Sequence, residues 1–247
     1  VYDITDPENP VEVTSVSLDA YGDGITSVAA GKYVIAVALA KDEEFAADGT
    51  PMTNDGVLVV MLPNGGITNV IELGGVLPDS VTFTPDGLTA MVAIEGEPIC
   101  ALDNPATSGV DESTDYNLAV DPMGGVAIVD LENPYEATAK MADFSKFRSA
   151  DLKRAGIVVS NTAKSARVDL EPEYVTASNN TTAYVTVQEA NAIAEIDLAT
   201  AEFTRIFSAG TVDHSVVPFD SSNRDNGAGP RTYDNVKGLA MPDMIAA

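Results

Sequence analysis

The sequence predicts an all-β chain of repeated four-stranded antiparallel units, and three observations predict it. First, the stretch from Leu170 to Glu189 reads as two period-two strands, around Val175–Ala177 and Ala183–Val187. The polar turn Ser178-Asn179-Asn180-Thr181 joins them. Second, Leu77 to Glu97 matches that stretch almost position for position. Pro78-Asp79 answers Pro172-Glu173, the turn Pro85-Asp86-Gly87 answers Asn179-Asn180-Thr181, and Glu95 with Glu97 answers Glu189. Third, a weaker copy runs from Thr26 to Ala40 around Gly31-Lys32, and Met241-Pro242-Asp243 begins another. Alternating β-branched and aromatic residues around Asn-, Asp- and Gly-bearing turns specify hairpins.

Between these hairpins lie other strand pairs. Val1–Thr5 and Val11–Leu18 flank Asp6-Pro7-Glu8-Asn9-Pro10; Gly56–Leu62 and Ile67–Leu73 flank Pro63-Asn64-Gly65-Gly66. Gly125–Leu131 precedes Glu132-Asn133-Pro134 and Ala137–Phe144, and Asn191–Leu198 is followed by Phe203–Phe207. Each unit is thus an inner hairpin followed by an outer one, the pattern of a β-propeller blade. By this count the chain starts on the third strand of one blade, covers three blades and stops on the first strand of another. Propellers close with about 4–8 blades. Residues 1–247 are therefore expected to be a single incomplete propeller domain, its ring completed by a remaining half or by a second chain. Open edges would otherwise be left bare.

Net charge is −25, from 38 acidic and 13 basic residues. This excludes nucleic acid and anionic membrane as partners of the whole molecule and favours cations. No apolar run reaches the ~18 residues of a membrane span. The single cysteine, Cys100, excludes an internal disulfide. The chain begins at Val1 without an initiator Met, which implies processing or trimming.

Antiparallel geometry puts the loop before a blade's first strand and the loop after its second at one end. Asp79, Glu95, Glu97, Glu171, Glu173 and Glu189 are therefore expected around one mouth of the central channel. Clustered carboxylates repel unless protons or a cation intervene, and calcium takes 6–8 oxygen ligands. The competing reading is that these acids cap strand ends and face water. The segment Asp213–Asp225 is expected at the same mouth, bringing Asp213, Asp220 and Asp225 as further metal candidates and the only histidine, His214, beside Arg224. An inserted basic loop, residues 144–169, carries six of the thirteen basic residues: Lys146, Arg148, Lys153, Arg154, Lys164 and Arg167. Within it Ser145–Gly156 reads as a short helix stopped by Gly156. Lys153, Arg154, His214 and Arg224 are the catalytic candidates if a phosphate is handled here. Otherwise the bases neutralise neighbouring acids. There is no phosphate-cradling glycine loop, no nucleophile elbow, and too little Cys and His for structural zinc. Asn179 and Asn180 head glycosylation sequons in the turn at the opposite face.

The blocks LPDSVTFTPDG (77–87), EGEP (95–98), GGVAIVDL (124–131), DLEPEYVTAS (169–178), AYVTVQEANAIAEIDLAT (183–200) and GTVDHSVVPFDSSNRD (210–225) resemble the choice-of-anchor I family. These are exported propellers related to a mesenchyme-specific cell surface glycoprotein family and distantly similar to phytase-like propellers. The resemblance spans nearly the whole chain and implies a ring of about seven blades. It implies an extracellular, cell-surface or periplasmic location, and two functions. The first is a scaffold or binding module holding divalent cations, calcium favoured. The second is a metal-dependent phosphoester hydrolase.

Overall fold

Among the described residues, apolar runs broken by turn residues fold, in a computed structural model, into three four-stranded antiparallel sheets and three short ribbons. The structure describes residues 1–46, 50–99, 120–159, 165–222, 224, 226–227 and 229–247. The first ribbon pairs β1 (Tyr2–Asp3) with β2 (Val11–Glu12). These strands are far shorter than the sequence predicts. Residues 1–13 are all exposed, and a two-stranded ribbon without a buried face is marginal.

The first blade runs β3 (Gly24–Ala30), β4 (Ile35–Ala40), β7 (Val57–Met61), β8 (Ile67–Glu72), with a small hairpin, β5 (Glu44–Phe45) and β6 (Pro51–Met52), between β4 and β7. The second is β9 (Pro78–Phe83), β10 (Thr89–Ile94), β11 (Gly125–Asp130), β12 (Ala139–Asp143). The third is β13 (Pro172–Ala177), β14 (Thr182–Val187), β15 (Ala192–Asp197), β16 (Glu202–Ser208). Each follows chain order across the sheet, as blades of a partial β-propeller do.

Central strands read as continuous apolar runs because both faces are covered. In β10, Ala90, Val92 and Ile94 pack toward Ala36, Ala38, Leu58 and Val60 of the first blade. Met91 and Ala93, on its other face, pack toward Ala183, Val185 and Val187 of the third. Strand periodicity alone thus assigns each residue to one inter-blade interface. At the outer end Phe144 stacks on Phe203, with centroids 4.0 Å apart and planes at 10°.

The turns use the predicted chemistry. Asn179 Oδ1 accepts from Thr181 N (2.8 Å) and Thr182 N (3.0 Å). Asp86 Oδ1 accepts from Thr84 Oγ1 (2.7 Å) and Leu88 N (3.0 Å). The two turns touch, since Asp86 N donates to Asn180 Oδ1 at 3.1 Å.

Helix α1 spans Ser149–Arg154, shorter than the Ser145–Gly156 expected. Residues 145–147 form a separate turn, in which Ser145 N donates to Asp143 Oδ1 (2.9 Å) and Phe147 N to Phe144 O (3.0 Å). Gly156 follows at φ +80°, as a left-handed stop. After the third blade a ribbon pairs β17 (Thr211–Asp213) with β18 (Lys237–Leu239). The fourth copy, from Met241 onward, lies along the third blade without a ladder: Met241 N donates to Asn191 Oδ1 at 2.9 Å.

An acidic cluster at one mouth of the propeller

A β-bulge repeated in two blades builds this end of the molecule. In the second blade Pro78 opposes Ile94 and Val81 opposes Val92, so Asp79 and Ser80 together face Ala93. In the third blade Pro172 opposes Val187 and Val175 opposes Val185, so Glu173 and Tyr174 together face Thr186. The extra residue re-aims a side chain out of the ladder. The first blade has its bulge at Thr26 and supplies no acid there. Leu77 and Met241, the residues before Pro78-Asp79 and Pro242-Asp243, both sit in the left-handed region, at φ +55° and +48°. Non-glycine residues held this way cost about 1–3 kcal/mol each. Glu171, before Pro172-Glu173, does not share this conformation, so the repeat extends to the backbone in two of the three copies.

The carboxylates so placed feel one another. Burial raises the Glu95 carboxyl to about 8, helped by Glu97, Asp79, Glu171 and Glu173. Burial raises Glu171 to about 7, helped by Glu189, Asp121, Glu97 and Asp169. Glu173 also rises to about 7 through burial, then Glu189, Asp243 and Asp79, and a hydrogen bond shared with Asp243. Asp79 is raised by burial and by Asp243. No basic group figures among these causes. With its amide nitrogen turned inward, Gln188 donates to Glu173 Oε1 (2.6 Å) and Oε2 (2.7 Å).

The structure therefore brings together Asp79, Glu95, Glu97, Glu171, Glu173 and Glu189. It adds Asp243, Asp121, Asp169 and Gln188, which the sequence reading did not assign to the site. Asp243 had a signal, because Met241-Pro242-Asp243 repeats Leu77-Pro78-Asp79. The oxygen donors at the mouth are carboxylates, without His or Cys, a set that suits a hard cation such as calcium. Among the described residues no three Asp, Glu, His or Cys side chains already form a metal-holding group.

Other candidates lie elsewhere in the bonding network. Asp213 Oδ1 accepts from Ser215 N (2.9 Å) and Ser215 Oγ (2.7 Å), which hold it below the usual range. Its charged neighbours are Lys237 and His214. His214 Nδ1 donates to Val217 O at 2.9 Å, and its ring lies 4.1 Å from that of Phe219. A Cβ on Gly238 would sit 2.7 Å from His214 Nε2, so the half-buried imidazole packs closely against the β18 backbone. Asp220 accepts from Ser222 N (3.2 Å), and Arg224 N donates to Ser222 Oγ (3.1 Å). Asp225 and Lys164 fall outside the described residues. In the basic segment Lys146 pairs with Glu202 (2.6 Å), Arg167 with Asp143 (3.1 Å), and Arg154 with Asp151. Lys153 also has a partner.

Among solved structures, hydrazine synthase of Kuenenia stuttgartiensis is similar at 12% identity and TM-score 0.41, over 71% of this chain and 40% of that one. A periplasmic gluconolactonase of Pseudomonas aeruginosa is similar at 11% identity and TM-score 0.42, over 70% and 39%. The β-propeller domain of Myceliophteria thermophila Cps50 (Swd1) is similar at 12% identity and TM-score 0.26, over 74% and 54%. The chain thus spans about two fifths of the first two of these proteins. Comparison with curated proteins gives no match. The Choice-of-anchor I domain matches residues 1–247, the whole length, and with its three blades the chain belongs to the choice-of-anchor I family.

Proposed function

We propose that this chain is part of an exported propeller that binds divalent cations, calcium foremost, at its acidic mouth and serves as an extracellular or cell-surface binding module. One observation carries the reading. Carboxylates from two successive blades lie half-buried within electrostatic reach of one another and of the exposed Asp243, and burial and neighbouring acids, with no basic group among the causes, favour their protonated forms. A divalent cation relieves their mutual repulsion with stronger bonds. Asp79, Glu95, Glu171, Glu173 and Asp243 would hold it, with Glu97 and Glu189 at the rim. A bound ion there supplies charge neutralisation and a rigid link between blades. No described helix is long and apolar enough to cross a membrane. The ring would be completed by further blades from the same protein or from a second chain.

Calorimetric titration of the intact protein with calcium tests this. Saturable binding lost in Glu173→Gln supports it, and absence of heat with calcium, magnesium and manganese alike contradicts it. Phosphomonoester turnover measured on the same samples tests the hydrolase alternative. That alternative requires a cation to polarise the phosphoryl group while Lys153, Arg154 or Arg224 stabilises developing charge. Arg154 is engaged by Asp151 and largely exposed, so we favour binding without turnover.

A further inference from the structure

The packed interface between the second and third blades ends before the blades do. Met91, Val126 and Ile128 of the second blade share one buried cluster with Ala183 and Val185 of the third. Residues two apart on a strand share a face, so Asp130 follows Ile128 on that side. On β12, Lys140 lies opposite Ile128 in register, and the Cβ atoms of such pairs are about 4.5–5.5 Å apart. Beyond Ile128 the blades part, and a cleft of about 640 Å³ opens at the turn end, away from the acidic mouth. Ligand sites enclose about 300–1,000 Å³. Ile128 and Leu198, 6% and 8% exposed, form its floor. Asp130, Glu132, Glu136, Lys140 and Asn180 line its walls.

These groups do not consume one another. Among the described residues Lys140 enters no ion pair. Asp130 Oδ1 accepts from Glu132 N (3.0 Å) and Glu136 Oε2 from Asn133 Nδ2 (2.9 Å), which leaves each a second carboxylate oxygen. Asn180 Oδ1 accepts from Asp86 N at 3.1 Å, which leaves its Nδ2 to donate. The walls thus offer charged acceptors and donors side by side. An amine suits the carboxylates but meets Lys140, and an anion suits Lys140 but meets three carboxylates. A hydroxyl both donates and accepts, and carries no charge. A compact ring bearing hydroxyls at its edge and C–H groups on its face matches walls and floor together. We infer that this cleft is a saccharide-binding site, in which Asp130 and Glu136 accept from hydroxyls while Lys140 and Asn180 donate to them. Tyr135, 63% exposed in the same turn as Glu132 and Glu136, supplies an amphipathic ring at the rim. The site lies at the opposite end from the clustered acids, so it stands independently of the cation reading.

Saturation-transfer NMR on the intact protein, in chelator, tests this with glucose, galactose, mannose, N-acetylglucosamine and cellobiose as probes and spermidine as a charged control. The expected result is saturable binding of at least one saccharide. Asp130→Asn and Lys140→Met nearly keep side-chain shape at exposed positions, and each should weaken binding about tenfold or more, the scale of a hydrogen bond to a charged group. Ala199→Trp fills the cleft from an exposed turn and should abolish binding with the melting temperature unchanged. It also serves if either of the other variants fails to fold. A wild type that binds none of the saccharides, whether or not it binds spermidine, overturns the inference. So does saccharide binding that survives Ala199→Trp.

Discussion

Glu173 concentrates the competing forces at the mouth. Its main chain is held by Ser80, its carboxyl meets Gln188 and Asp243, and burial favours its protonated form. Replacing it with Gln keeps the shape and removes the charge. In chelator near pH 8, Glu173→Gln is expected to melt above wild type, by roughly 2–4 °C per kcal/mol of repulsion relieved. In calcium the order reverses, because a ligand is gone. Differential scanning calorimetry in the two buffers reads both signs. Gly124 is the steric counterpart, since a Cβ there would lie 2.0 Å from Leu170 O and 2.7 Å from Pro172 Cδ. Gly124→Ala is expected to cost about 1–3 kcal/mol by overpacking, seen as a lowered denaturation midpoint in chelator. Repeat logic made Asp79 and Glu173 legible, and Asp243 was legible by the same logic. Asp121 and Asp169 arrive from connections with no acidic counterpart in the repeat, so no pattern marked them; Gln188 stands in the third blade where Glu95 stands in the second, but an amide there does not read as an acid. His214 was expected at the mouth because its segment follows the fourth strand of its blade. The structure shows its ring bonded to Val217 O beside the β17–β18 ribbon, whose strands of three residues each carry too little periodicity to read.

The blade is the scale at which the sequence spoke most clearly. Alternation located the hairpin strands, and Asx chemistry located the turns between them. The bulges were not legible. Their signal is one residue of extra length, which a period-two pattern absorbs without trace. They nonetheless decide where Asp79 and Glu173 point. The helix ended early because Asp143 and Phe144 capture residues 145–147 in a turn, a competition that helix periodicity does not see. Blade-to-blade cohesion at the outer end rests on Phe144 and Phe203, both essentially buried. Phe144→Ala is expected to destabilise by about 3–5 kcal/mol. A double-mutant cycle with Phe203→Ala should show coupling of about 0.5–1.5 kcal/mol beyond area loss. Urea unfolding with an unchanged slope checks it.

For the molecule as a whole, acidity is both solubility and stored repulsion. Three mouth acids have native values of about 8, 7 and 7 against 4.5 unfolded. Between those limits the native state holds more protons than the unfolded chain. Their contribution is therefore complete below about pH 4.5 and is lost as pH rises toward 8. Metal-free protein is expected to lose stability over that interval, and a cation that replaces the protons should restore it most where they are absent. The measurement that tests the central claim most directly is thermal unfolding of the intact protein in chelator and in rising calcium, at pH 8 and near pH 5. The account predicts a saturable rise in melting temperature that is large at pH 8 and small near pH 5. Melting unchanged by calcium at both values would contradict it and leave the carboxylates as solvating surface.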